Sequence, residues 1–124
     1  MTEAAKRVLV VDDDESIVES VRLALTERGY EVIVARDGAE GISRAERDAP
    51  HLIILDLVMP RRSGLMVLDR LSRARLHAPH VILLSANDQE KHREFVKTCG
   101  VAAFLRKPVD IGDLIARVDS LLQD

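Results

Sequence analysis

Three stretches of this chain are apolar without interruption: Val8-Leu9-Val10-Val11, Leu52-Ile53-Ile54-Leu55 and Val81-Ile82-Leu83-Leu84. A strand with one face in water alternates apolar and polar residues, whereas an unbroken run belongs to a strand covered on both faces. Crossover helices supply that cover when the strands run parallel. The runs therefore predict the central strands of a parallel α/β sheet.

Two weaker runs complete the set. Ala102-Ala103-Phe104-Leu105 predicts a further strand, and Tyr30-Glu31-Val32-Ile33-Val34 carries a charge that suits an edge. Helix-like segments fall between the runs. The first is expected over about residues 15 to 28, with Ile17, Val21 and Leu25 on one stripe and Gly29 as its stop. The last is expected to start at Asp110, followed by Ile111, Leu114, Ile115, Val118 and Leu122 at helical spacing. Asp37 with Glu40, and Asn87 with Glu90, have the spacing of capping boxes and predict the starts of the second and fourth helices. Five βα units fill the 124 residues, which predicts a single domain over 1–124 with strand order 2-1-3-4-5.

Composition narrows the function classes. Apolar residues make up 47% and charged residues 31%, the balance of a globular protein rather than a disordered tail. A formal net charge of -3 offers no general attraction for nucleic acid, so direct contact with it is not expected. No apolar stretch reaches the 18 or more residues of a membrane span, and Met1 to Arg7 lacks the apolar core of a signal peptide, so a cytoplasmic protein is expected. Cys99 is the only cysteine, which excludes an internal disulfide and fits a packed thiol at a helix end. His51, His77, His80 and His92 show no zinc spacing and read as surface or loop residues.

The chemistry lies where the apolar runs stop. The first ends at Asp12-Asp13, the second at Asp56 and the third at Ser85, while the fourth leads into Arg106-Lys107-Pro108. Parallel strands bring their carboxyl ends to one edge, where open α/β sheets bind ligands. Three carboxylates brought together must raise a pKa or recruit a cation, and a hard divalent ion such as Mg²⁺ suits oxygen donors. A strand-end aspartate can also attack phosphorus and form an acyl phosphate, with a lysine and a hydroxyl to neutralise and orient the group. Singly, such residues have plainer uses: Asp13 or Asp14 could cap a helix, and Lys-Pro is common at strand exits. Their conjunction at four strand ends is the stronger signal.

These residues resemble the receiver domain of two-component response regulators. Val8-Leu9-Val10-Val11-Asp12-Asp13-Asp14-Glu15 is similar to the family's opening strand and acidic pair. Asp56-Leu57-Val58-Met59-Pro60 with Gly64 is similar to its phosphoacceptor segment, and Lys107-Pro108 to its lysine motif. The resemblance spans nearly the whole chain and implies a flavodoxin-like, doubly wound (βα)5 fold. It also implies that Asp56 accepts a phosphoryl group from a histidine kinase or phosphotransfer protein, in a reaction that needs Mg²⁺. Asp13, Asp56 and the Val58 backbone carbonyl would then hold the metal, with Asp12 acting through its waters. Ser85 and Lys107 would sense the phosphate, and Phe104 would be the aromatic that repacks. The fourth helix, fifth strand and fifth helix would carry the message to a protein target, from a monomer or weak dimer.

Several positions depart from common members. Ser63 stands where Asp is frequent, beside Arg61 and Arg62, which fit a solvated loop. Phe104 replaces a common tyrosine. Val58 and Asn87 occupy the two positions that tune access of water to the acyl phosphate, and apolar Val58 predicts slow self-dephosphorylation. Ala102-Ala103 before Phe104, and Asp119, Gln123 and Asp124 in the last helix, lack the acidic pair and arginines that mark dimerising winged-helix regulators. A stand-alone receiver, or one joined to another output, is expected. The alternatives are a pseudo-receiver that binds partners without phosphorylation and an aspartate phosphohydrolase. The second Asp of such a hydrolase is Val58 here, and no glycine-rich loop supports a nucleotide-binding Rossmann domain.

Overall fold

The computed structural model describes residues 5–56, 67, 69–70, 79–85 and 101–123. Five parallel strands form one sheet: β1 (Arg7–Val11), β2 (Glu31–Ala35), β3 (Leu52–Asp56), β4 (His80–Ser85) and β5 (Ala103–Arg106). Their order is β2-β1-β3-β4-β5, as the runs predict, with the three unbroken apolar runs in the centre and the charged run at an edge. This is the α/β, doubly wound, flavodoxin-like arrangement.

Period-two alternation divides each central run between two cores. Val8, Val10, Leu52, Ile54, Ile82 and Leu84 face one side of the sheet, where they meet Val18, Val21 and Leu25 of α1 (Glu15–Glu27). Leu114, Val118 and Leu122 of the C-terminal helix (Ile111–Leu122) complete that core. Leu9, Val11, Ile53, Leu55, Val81 and Leu83 face the other side, packed with Val67, Phe104 and with Ile42 and Ala45 of α2 (Gly38–Asp48). A continuous apolar run is thus two interleaved half-runs, each serving its own layer.

The helix ends follow their sequence signals with small differences. Gly29 has a φ of 92°, the left-handed conformation that stops α1. Val18, rather than the half-buried Ile17, completes the fully buried stripe of that helix. Asp110 caps the C-terminal helix by accepting the N–H of Asp113, so it precedes the first helical residue. Asp37 caps α2 through the N–H of Glu40. The Glu40 carboxylate reaches the N–H of Arg36 at 2.8 Å, one residue before the partner of a standard capping box. Tyr30 lies just before β2 and is buried, instead of beginning the edge strand. Asn87, Glu90 and the expected fourth helix lie outside the described residues, as do Cys99, His77 and His92.

Candidate functional site: an acidic pocket with one lysine

β1 and β3 are neighbours, and Val11 is in register with Leu55. Asp12 and Asp56 are therefore the next positions along adjacent strands. Main-chain hydrogen bonding fixes Asp12 from the other side, because its N–H donates to the Ala35 carbonyl of β2 at 3.1 Å. Its Oδ1 accepts the N–H of Asp14 at 3.0 Å, turning the chain sharply out of the sheet and into α1. Asp14 then caps that helix, accepting from the N–H groups of Ser16 and Ile17. The plain capping role belongs to Asp14, which leaves Asp13 for the pocket.

Carboxylate oxygens of Asp12, Asp13 and Asp56 all lie within 4.8 Å of one another. Asp12 and Asp56 are buried and Asp13 is exposed, so the cluster opens to solvent on one side. Lys107 comes from the far end of the sheet. Its N–H donates to the Ser85 carbonyl at 2.9 Å, which extends the β4–β5 ladder by one residue and aims the side chain back across β4. The ammonium then stands 3.2 Å from Oδ2 of Asp12 and 3.2 Å from Oδ2 of Asp56. Burial works against that charge, but the two carboxylates outweigh it and hold the lysine above its ordinary pKa. The Lys107–Pro108 peptide bond is cis.

Among the described residues, three carboxylates against one ammonium leave a formal excess of negative charge that matches a divalent cation. Asp12 Oδ2 is buried and accepts no hydrogen bond among the described residues, although the lysine charge is close. An acceptor left in that state, in an all-oxygen cluster open on one side, fits a hard cation with its waters. Ser85 ends β4 with its side chain buried, and Phe104 is half-buried in the second core. The structure thus brings Asp12, Asp13, Asp56 and Lys107 together and places Ser85 one main-chain bond from the lysine. Val58 and Asn87, with Arg61, Arg62, Ser63 and Gly64, lie outside the described residues.

Other placements had no simple signal in the chain. Asp119 and Gln123 are both engaged by side chains of another element. Asp119 pairs with Arg28 and accepts the Tyr30 hydroxyl, while Gln123 donates to that hydroxyl at 3.3 Å. The Tyr30 hydrogen bond, followed by Arg28, lowers the pKa of Asp119. His51 is half-buried and hydrogen-bonded rather than a surface bystander.

Comparison with known proteins agrees with the geometry. Residues 8–119 match the family described as response regulator receiver domain. The chain is 36% identical over 118 residues to the alkaline phosphatase synthesis transcriptional regulatory protein PhoP of Bacillus subtilis, covering 95% of this chain and 49% of that protein. It is 37% identical over 117 residues to the response regulator MprA of Mycobacterium leprae, covering 94% and 51%. The chain therefore spans about half the length of these curated relatives. Among solved structures it is similar to a CheY-like receiver domain protein from Methanospirillum hungatei, with a TM-score of 0.89, 28% identity and coverage of 94% and 93%. It is also similar to a response regulator receiver protein from Pseudomonas putida, with a TM-score of 0.88, 31% identity and coverage of 96% and 99%. Sheet order, acidic pocket, lysine and sequence match converge: the chain belongs to the response regulator receiver domain family of two-component systems.

Proposed function

We propose that Asp56 is the phosphoacceptor of a signalling switch, and that the chain is not a turnover enzyme. A carboxylate oxygen of Asp56 attacks the phosphorus of a phosphohistidine on a histidine kinase or phosphotransfer protein. The new O–P bond makes an acyl phosphate, and the broken P–N bond leaves its electron pair on the imidazole. The observation that carries this proposal is the 3.2 Å contact of the Lys107 ammonium with a buried Asp56 carboxylate. That charge is already in place to meet the oxygens of an incoming phosphoryl group.

Asp13, Asp56 and the Val58 carbonyl would hold Mg²⁺, with Asp12 acting through its waters. When bound, the ion supplies charge neutralisation for the phosphoryl oxygens. Phosphorylation replaces the single charge of the Asp56 carboxylate with the roughly two negative charges and three acceptor oxygens of a phosphoryl group. Ser85 and Lys107 would then take phosphate oxygens, and the strain on β4 and β5 would pass to Phe104. The result is a shift between two states of one fold rather than a new fold. The face from the fourth helix, β5 and the C-terminal helix would present the new state to a protein partner. Val58 makes the acyl phosphate long-lived, and a lifetime of seconds in the wild type would contradict that.

Acetyl phosphate with Mg²⁺ tests the proposal. One phosphoryl adduct by intact mass, absent in Asp56→Ala and absent without Mg²⁺, is expected. A folded wild type that takes no adduct would favour the pseudo-receiver alternative. The name of the Bacillus subtilis relative favours a second reading, in which the switch controls transcription. The net charge of -3 argues that this domain would do so through protein contacts, and a labelled duplex should not bind it in either state.

A further inference from the structure

We propose that His51 is an acid-sensitive tie for the amino edge of the sheet, a device separate from the acidic pocket at the opposite edge. The geometry is specific. His51 Nδ1 accepts the N–H of Arg7 at 2.9 Å, the His51 N–H donates to the Arg7 carbonyl at 2.9 Å, and the His51 carbonyl accepts the N–H of His80 at 3.1 Å. One residue therefore joins β1, β3 and β4 where each begins.

An imidazole nitrogen that accepts a hydrogen bond carries no proton. Protonation would place an Nδ1–H against the N–H of Arg7, removing the bond and leaving two donors face to face. Among the described residues, the surroundings offer little to compensate a second charge. Lys6 and Arg7 are cationic and lie on the β1 side, while His80 is exposed at the start of β4. Asp48, at the end of α2, is engaged by Arg44 at 3.5 Å and Arg47 at 3.8 Å. Burial first, then the charges of Arg7 and Lys6, holds the His51 pKa below that of a free histidine.

Arg7 extends the consequence to a helix. Its guanidinium donates to the Asp48 carbonyl at 3.0 Å and the Ala49 carbonyl at 3.1 Å, the last turn and cap of α2. Loosening the Arg7 main chain therefore loosens the end of that helix. The unfolded chain takes its proton at the ordinary histidine value and the folded chain takes it lower. Stability from this tie is full above the ordinary value, declines as pH falls through it, and declines no further below the native value.

His51→Asn tests the tie, because it keeps a side-chain acceptor near the position of Nδ1 and cannot titrate. Thermal unfolding at about pH 7.5 and about pH 5.5 brackets the histidine range. The wild type should lose more Tm on acidification than His51→Asn. Amide exchange at Arg7, corrected for its intrinsic pH dependence, should accelerate in the wild type alone. Equal pH dependence of the two proteins, or a His51 NMR titration at the free-histidine value in the wild type, would overturn the proposal. Acetyl phosphate should still label Asp56 in His51→Asn, and loss of that label would refute the separation of the two edges.

Discussion

Lys107 reaches from the end of β5, past β4, to Asp56 at the end of β3, and its Nζ lies 3.2 Å from the Asp56 Oδ2. The contact joins the two halves of the pocket before any phosphate arrives. It also means that the resting pocket is held together by attraction across the sheet.

Removing that cation should destabilise the fold. Lys107→Met leaves Asp12 and Asp56 buried without it, at an expected cost of about 1–3 kcal/mol in urea unfolding. The cost falls short of the roughly 3–5 kcal/mol of a fully buried pair because the ammonium keeps some contact with water. Added Mg²⁺ should recover much of the loss by taking over the neutralisation. The raised lysine pKa fixes the sign of the pH effect. The contribution is present below the ordinary lysine range while the two carboxylates are ionised, and disappears as pH climbs through the native value.

Neighbouring aspartates should separate cleanly. Asp14 is a helix cap, so Asp14→Ala should cost about 1 kcal/mol of stability and leave Mg²⁺ affinity nearly unchanged. Asp13 is exposed and belongs to the carboxylate cluster, so Asp13→Asn should do the reverse. A loss of at least about tenfold in Mg²⁺ affinity by titration calorimetry, with little change in urea midpoint, is expected.

Two leucines on α1 test the packing. Leu25 is fully buried in the core shared with the C-terminal helix, whereas Leu23 is 52% exposed. Leu25→Ala should cost about 2–5 kcal/mol, and Leu23→Ala less than about 0.5 kcal/mol. Similar urea midpoints for the two variants would contradict the assignment of faces.

Much of this arrangement was legible in the chain because its causes are local or periodic. Unbroken apolar runs identify central strands, and parallel strands bring Asp12, Asp13, Asp56 and Lys107 to one edge whatever the loops do. What the chain hides are pairings made by side chains across layers. Arg28 and Tyr30 meet Asp119 only once α1 and the C-terminal helix lie on the same face. His51 reads as an isolated loop residue until β1 and β3 pair and its ring takes the place of a main-chain acceptor. No spacing rule encodes such contacts.

The Asp119 cluster carries its own spectroscopic signal. Tyr30 is the only tyrosine and there is no tryptophan, so the near-ultraviolet absorbance change on phenol ionisation reports this residue alone. Burial, then its hydrogen bond to the Asp119 carboxylate, pushes its pKa up to about 12. An absorbance titration of the native protein should show that midpoint, and Asp119→Asn should move it down toward the ordinary tyrosine value. The folded state holds this proton more tightly, so stability should fall as pH rises through the ordinary range toward the native value. A wild-type midpoint at the ordinary value would contradict the contact.

The role of Asp56 is tested most directly by locating the phosphoryl bond. The protein is treated with acetyl phosphate and Mg²⁺, trapped with borohydride, which reduces an aspartyl phosphate to homoserine, and sequenced by peptide mass spectrometry. Homoserine at Asp56, and nowhere else, is the predicted result. Reduction at Asp12 or Asp13, or an adduct that survives in Asp56→Ala, would contradict it.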